Sequence, residues 1–153
     1  MNMQSVSDSR VSLREVTAET VRAICSLHVS KDQEQFVAPN AVSIAQAHFS
    51  REAWFRAVYT GETPVGFVML EQIPEKGRYF LWRFMIDERY QKKGYGKKAL
   101  QQVIEHVRSM PSADELTLSY HKAPGSPQPF YEKLGFRDTG KMMDDEYEMR
   151  LKL

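Results

Sequence analysis

Apolar and polar residues alternate over residues 11–16, which predicts an opening strand. Thr17 then offers a cap to a helix with the apolar stripe Val21, Ile24, Cys25 and Leu27, in which Cys25 reads as buried filler. The pattern breaks over residues 31–40, a loop, and Ser43 caps a short second helix to about Phe49. Two β-type runs, residues 54–59 and 65–72, flank Gly61-Glu62-Thr63-Pro64, which is turn chemistry and predicts a hairpin. An aromatic run over residues 78–87 predicts a further strand. Its alternation sets Phe80, Trp82, Phe84 and Ile86 on one face, with Leu81, Arg83 and Met85 on the other.

The clearest helical pattern follows a glycine-containing loop. Ala99, Leu100, Val103, Ile104 and Val107 recur at spacings of one, three and four, forming a single apolar face to pack on a sheet. Residues 115–120 alternate as a strand. Ser126-Pro127 marks a helix start and Gly135 its end, and residues 136–141 and 146–153 form a closing strand pair around Asp144-Asp145. This order predicts an α/β fold, one mixed central β-sheet of about seven strands flanked by about four helices.

A chain of 153 residues, 42% hydrophobic and 27% charged, suits one domain with a real core. Residues 1–10 are polar and read as a flexible tail, leaving 11–153 as the folded domain. The net charge of +1 provides no field that would draw nucleic acid or an acidic membrane, so neither is expected as a partner. No apolar run approaches the roughly 20 residues that span a bilayer. The single cysteine permits no internal disulfide and suits a reducing, cytoplasmic setting. His28, His48 and His106 show no metal-ligand spacing, and no metal is expected.

The candidate chemistry lies between the aromatic strand and the amphipathic helix, in Gln91, Lys92, Lys93, Gly94, Tyr95, Gly96, Lys97 and Lys98. Unpaired amides at a helix N-terminus and the helix dipole favour an anion, and glycines let the backbone approach it closely. By itself the loop reads equally well as a tight turn with solvated lysines. Its spacing fits neither a Walker loop nor a dinucleotide fingerprint, since Ala99 stands where a third glycine belongs.

Set between such a strand and such a helix, Gln91-x-x-Gly94-x-Gly96 resembles the acetyl-CoA signature of the GNAT N-acetyltransferase superfamily. Phe130-Tyr131-Glu132-Lys133-Leu134-Gly135-Phe136 is similar to that superfamily's second signature. The resemblance implies acetyl-CoA as co-substrate, with its pyrophosphate on Gln91 to Lys97. It also implies that the pantetheine arm pairs with Phe84, Met85 and Ile86, where an N–H stabilises the developing oxyanion. Tyr131 would be the general acid that protonates the leaving thiolate. Many relatives carry asparagine in the loop that here reads His121-Lys122-Ala123-Pro124-Gly125-Ser126-Pro127, so Ser126 is the substitute contact to the cofactor arm.

The stretches from Trp82 to Gln91 and from Leu27 to Gln33 resemble bacterial spermine/spermidine acetyltransferases, which implies a polyamine acceptor. An extended polycation needs carboxylates along an apolar channel. Asp32 and Glu34 beside Phe36, with Trp82, are the candidates for it, followed by Glu71, Glu75, Asp144, Asp145 and Glu146. The base that deprotonates the amine is left among Glu34, Glu71, His121 and a water relay. Other acceptors (an aminoglycoside, an amino acid, a protein N-terminus) and a non-catalytic acyl-CoA-binding module are the alternatives. Members of the superfamily often dimerise, which makes the C-terminal strands the candidate surface for a homodimer.

Overall fold

The computed structural model describes residues 10–153. Residues 1–9, most of the expected tail, lie outside the described residues.

Strand β1 (Val11–Arg14) leads to helix α1 (Val21–Ser26), a 3-10 turn (Lys31–Phe36) and helix α2 (Asn40–His48). Strands β2 (Ala53–Thr60), β3 (Thr63–Ile73) and β4 (Arg78–Ile86) follow, then helix α3 (Tyr95–Arg108) and strand β5 (Glu115–Tyr120). Helix α4 (Gln128–Lys133) precedes the closing strands β6 (Arg137–Met143) and β7 (Glu146–Lys152). One seven-stranded sheet results, in the order β1-β2-β3-β4-β5-β7-β6. Every neighbouring pair is antiparallel except β4 and β5. A parallel pair cannot be joined by a hairpin, so the chain crosses over through α3, and the glycine loop stands at the start of that crossover.

Strand β3 is apolar on both faces because helices cover both. Phe67 and Met69 pack with Ile24, Leu27, Ala57 and Met85 on the side of α1 and α2. Val68 and Leu70 join Leu100, Val103, Val107, Leu116, Leu118, Tyr131 and Phe136 on the side of α3 and α4. All five residues of the expected α3 stripe are buried.

Five expectations need correction. Thr17 does not cap α1, which begins at Val21 after Thr20; the Thr17 amide instead donates to the Thr20 hydroxyl at 2.9 Å. The face assignment of β4 fails because the strand carries a bulge. Met69 pairs with Arg83 and Leu70 with Leu81, leaving Trp82 as the extra residue. An inserted residue inverts the alternation. Leu81 therefore shares the α3 side with Phe84, while Trp82 packs with Met85 on the α2 side. Cys25 is exposed, because the short α1 turns only Ile24 fully inward. Ser43 does not start α2, which begins at Asn40 after Pro39; its hydroxyl instead donates to the Pro39 carbonyl at 3.4 Å. Finally, residues 31–36 form an ordered 3-10 turn where a loop was expected.

Candidate active site

The parallel pairing of β4 and β5 is confined to Phe80 with Thr117 and Leu81 with Leu118. Beyond those residues the strands part, and a cleft of about 1180 Å³ opens at their C-terminal ends. The bulge at Trp82 lies where the separation begins. Open α/β sheets commonly bind ligands at such a position, where the order of connections reverses.

The wall on the β4 side is a strand edge without a strand partner from Trp82 to Ile86. The Asp87 amide donates to the Val65 carbonyl at 2.7 Å, toward β3. By the alternation of a strand, the peptide groups of Phe84 and Ile86 then face the open side and those of Met85 face β3. The position of Gly66 agrees with this, since a Cβ there would lie 2.5 Å from the Met85 carbonyl oxygen. Of the three residues expected to pair with pantetheine, Phe84 thus presents its peptide groups to the cleft and Ile86 its N–H, the Ile86 carbonyl accepting from Gln91 Nε2 at 2.8 Å.

At the cleft's other end lies the N-terminus of α3. Gly94 caps the helix at φ 85°, ψ 1°, and Lys92 also has a positive φ of 63°. The first helical bond runs from the Lys98 amide to the Gly94 carbonyl at 3.2 Å. The amides of Tyr95, Gly96 and Lys97 are thereby left to a ligand. Gly96 lies close under the ring of Phe130, with 3.5 Å from a Cβ built there to the ring carbons, and Phe130 stacks on Phe84 with centroids 6.0 Å apart. Gln91, Lys92, Gly94, Gly96 and Lys97 line the cleft, whereas Lys93 is exposed outside it and Tyr95 packs its ring beside Ile86 and Ala99. The Gln91 side chain does not reach into the cleft for an anion. It donates to the Ile86 carbonyl at 2.8 Å and to Gln33 Oε1 at 2.8 Å. An anion-bearing, extended cofactor such as CoA fits these features: free amides with dipole and lysines at one end, an unpaired strand edge along the wall.

Tyr131 forms the opposite wall. It is 8% exposed and packed edge-on between Phe130 and Phe136 at centroid distances of 5.3 and 5.7 Å. Burial pushes its phenol above the usual value, and its hydroxyl has no hydrogen-bond partner among the described residues. It therefore stays protonated at neutral pH with its proton uncommitted. Tyr120 also lines the cleft, but its hydroxyl donates to Asp138 Oδ1 at 2.7 Å and is occupied. Ser126 lines the cleft, where its hydroxyl accepts from the Gln128 amide at 3.2 Å; it is not the expected cap of α4, which begins at Gln128 after Pro127.

Of the acceptor candidates, Glu34, Phe36, Trp82, Asp144 and Glu146 line the cleft; Asp32, Glu71, Glu75 and Asp145 do not. Among the base candidates Glu71 is therefore left aside, and Glu34 and His121 remain on the wall. His121 stands 3.8 Å from Asp145 through Nδ1 and 3.8 Å from Glu146 through Nε2.

Three residues that the sequence patterns did not single out shape the site. Arg83 lies half-buried on the wall, bonded to Gln46 Oε1 at 3.0 Å and the Trp82 carbonyl at 3.2 Å. Burial draws its guanidinium below the usual range, opposed by the field of Glu146. Asp87, fully buried just after β4, accepts from the His28 amide at 3.0 Å and from the Arg89 amide and side chain. Burial alone would raise its pKa, but these bonds outweigh it and hold the carboxyl below the usual range. Gln33 is the third. Among the described residues no group of three or more His, Cys, Asp or Glu side chains stands together as a metal site, and no helix is long and apolar enough to cross a membrane.

Comparison with known proteins agrees with this geometry. The model of the acetyltransferase (GNAT) family matches residues 21–136. A spermine/spermidine N(1)-acetyltransferase of Bacillus subtilis is 32% identical over 141 residues, covering 86% of this chain and 91% of its own. The fold recurs in the PaiA N-acetyltransferase of Thermoplasma acidophilum in complex with coenzyme A (16% identity, TM-score 0.71, 94% and 99% of the two chains). It recurs also in a Bacillus subtilis acetyltransferase in complex with CoA (17% identity, TM-score 0.67, 94% and 98%). The chain belongs to the GNAT family and is an acetyl-CoA-dependent N-acetyltransferase.

Proposed function

We propose that this enzyme acetylates an amino group of a polyamine, with CoA lying along the open edge of β4 and its pyrophosphate on the amides at the start of α3. The observation that carries the acceptor is the lining of the cleft, where Glu34, Asp144 and Glu146 accompany the apolar Phe36, Phe80, Trp82 and Met143. Carboxylates spaced along an apolar channel hold the ammonium groups of an extended polycation while its methylene segments leave water. The spermine/spermidine acetyltransferase among the relatives supports the same reading.

Acetyl-CoA supplies a thioester, on which a neutral amine displaces the thiol as the C–N bond forms and the C–S bond breaks. The chain's residues hold and move the protons. Tyr131, buried and protonated, donates its phenolic proton to the departing sulfur and is restored by the proton that the acylated nitrogen sheds. His121 or Glu34 takes a proton from the incoming ammonium, since only the free amine is nucleophilic. The Phe84 peptide groups and the Ile86 N–H orient the cofactor arm by strand-like pairing. Amides of Tyr95, Gly96 and Lys97, with Lys92 and Lys97 alongside, offset the phosphate charge.

A second reading draws support from Arg83. A half-buried guanidinium on the wall favours an acceptor that carries a carboxylate, such as an amino acid or a peptide. Thiol release from acetyl-CoA, measured across polyamines, aminoglycosides, amino acids and peptides, separates the two. The polyamine reading expects the highest kcat/KM for spermidine or spermine and a rise in their KM, with little change in kcat, for Asp144→Asn, a carboxylate of the lining that is not a candidate base. Turnover of an amino acid or peptide with polyamines inert establishes the second reading, and CoA binding without thiol release from any amine refutes both.

A further inference from the structure

The 3-10 turn at Lys31–Phe36 and the loop that opens at Gln91 are far apart in sequence, yet their side chains clasp each other. Gln33 Nε2 donates to Gln91 Oε1 at 3.2 Å, and Gln91 Nε2 returns a bond to Gln33 Oε1 at 2.8 Å. The second hydrogen of Gln91 Nε2 goes to the Ile86 carbonyl at 2.8 Å. Gln33 Oε1 uses its other lone pair on the Ser30 amide at 3.3 Å, which holds the start of the turn. Both hydrogens of the Gln91 amide and both acceptor sites of Gln33 Oε1 are thus engaged. The pair joins the end of β4, the cofactor loop and the turn that carries Glu34 and Phe36 into the cleft. Beneath it the same two stretches are tied again, by the His28 amide to Asp87 Oδ2 at 3.0 Å and the Glu88 amide to the His28 carbonyl at 3.0 Å.

We propose that Gln33 is a positioning residue which, acting through Gln91, couples the cofactor loop to the acceptor-side turn. Cofactor on the amides of the loop fixes Gln91, the fixed Gln91 orders the turn, and Glu34 and Phe36 are then set for the amine. By linkage the coupling is reciprocal, so amine on the turn tightens the loop on the cofactor. The inference rests on the proposed acetyl transfer in this cleft, and it adds that the two substrates bind cooperatively through one amide pair.

Hydrogen exchange with and without CoA tests it, on the wild type, Gln33→Leu and Gln33→Glu. In the wild type CoA should slow exchange at residues 91–97 and also at 31–37. Gln33→Leu should keep the first protection and lose the second. Gln33→Glu keeps acceptors for the Ser30 amide and Gln91 Nε2 but sets a carboxylate oxygen against Gln91 Oε1 where Nε2 donated, so it should keep the first protection and only part of the second, which a merely damaged fold would not. In steady-state kinetics Gln33→Leu should raise the KM of the amine about 10-fold or more, since it removes both bonds of the clasp. Equal protection of 31–37 in the wild type and Gln33→Leu, or none there in the wild type, overturns the coupling. Failure of the acetyl-transfer reading shows differently, as CoA binding without thiol release from any amine, and the exchange result still decides the clasp.

Discussion

Gly94 and Gly96 both fill fixed positions of the signature but differ in their physics, and one alanine at each position separates them. Gly94 has a φ of 85°, and a Cβ there would meet nothing within 4 Å. Gly94→Ala therefore acts on backbone strain alone, about 1–2 kcal/mol for a left-handed L-residue. At Gly96 the backbone is helical, and a Cβ would lie 3.5 Å from two Phe130 ring carbons and 3.6 Å from Ile86 Cγ1. These are ordinary contact distances, so nothing must shift. Alanine at a helical position is also favoured over glycine, by at most about 1 kcal/mol. Gly96→Ala should leave unfolding free energy unchanged or slightly raised, with CoA affinity within a few-fold. Gly94→Ala should lose about 1–2 kcal/mol and, by moving the first amides of α3, weaken CoA about 10-fold or more. Urea unfolding and calorimetric titration with CoA measure both quantities. Equal destabilisation by the two alanines, or a larger loss at Gly96, would refute the reasoning.

Two other substitutions reach the site from behind. At Gly66 a Cβ would stand 2.5 Å from the Met85 carbonyl oxygen and 2.7 Å from Ile86 Cδ1. Gly66→Ala should cost about 1–3 kcal/mol in urea unfolding and raise the KM of acetyl-CoA by displacing the end of β4; an unchanged melting curve would show that β4 does not rest on this glycine. Asp87→Asn should lower stability at neutral pH, on the order of 1.5–3 kcal/mol for each bond to the charged group that is lost. Because the folded-state pKa of Asp87 is depressed, its contribution is complete above the unfolded value of about 3.9 and lost as pH falls through the lower folded value. The stability gap between wild type and Asp87→Asn should therefore close in acid, and a gap constant from neutral pH down to pH 2 would contradict the assignment.

Much of this fold was legible because it follows local periods. The alternation over residues 115–120 became β5, and the stripe from Ala99 to Val107 became the buried face of α3. The cofactor loop was recognisable because its glycines fall between a strand and a helix. Illegible features depend on distant partners. The bulge at Trp82 leaves no mark on a two-residue period until β3 is laid beside it. The insertion of β7 between β5 and β6 is a long-range pairing that no turn signal encodes. Asp87 and Gln33 looked like ordinary polar positions, since their roles are defined by His28 and by Gln91, the latter 58 residues from Gln33. Cys25 is the opposite case: its apolar stripe extends further than a six-residue helix can bury.

The central claim is that the cleft transfers acetyl with Tyr131 as proton donor. Tyr131→Phe preserves the ring packed against Phe130 and Phe136 and removes only the unpartnered hydroxyl. Measured against the best acceptor, the variant should lose about 10²- to 10⁴-fold in kcat with calorimetric CoA affinity unchanged. Full turnover by Tyr131→Phe would contradict the account.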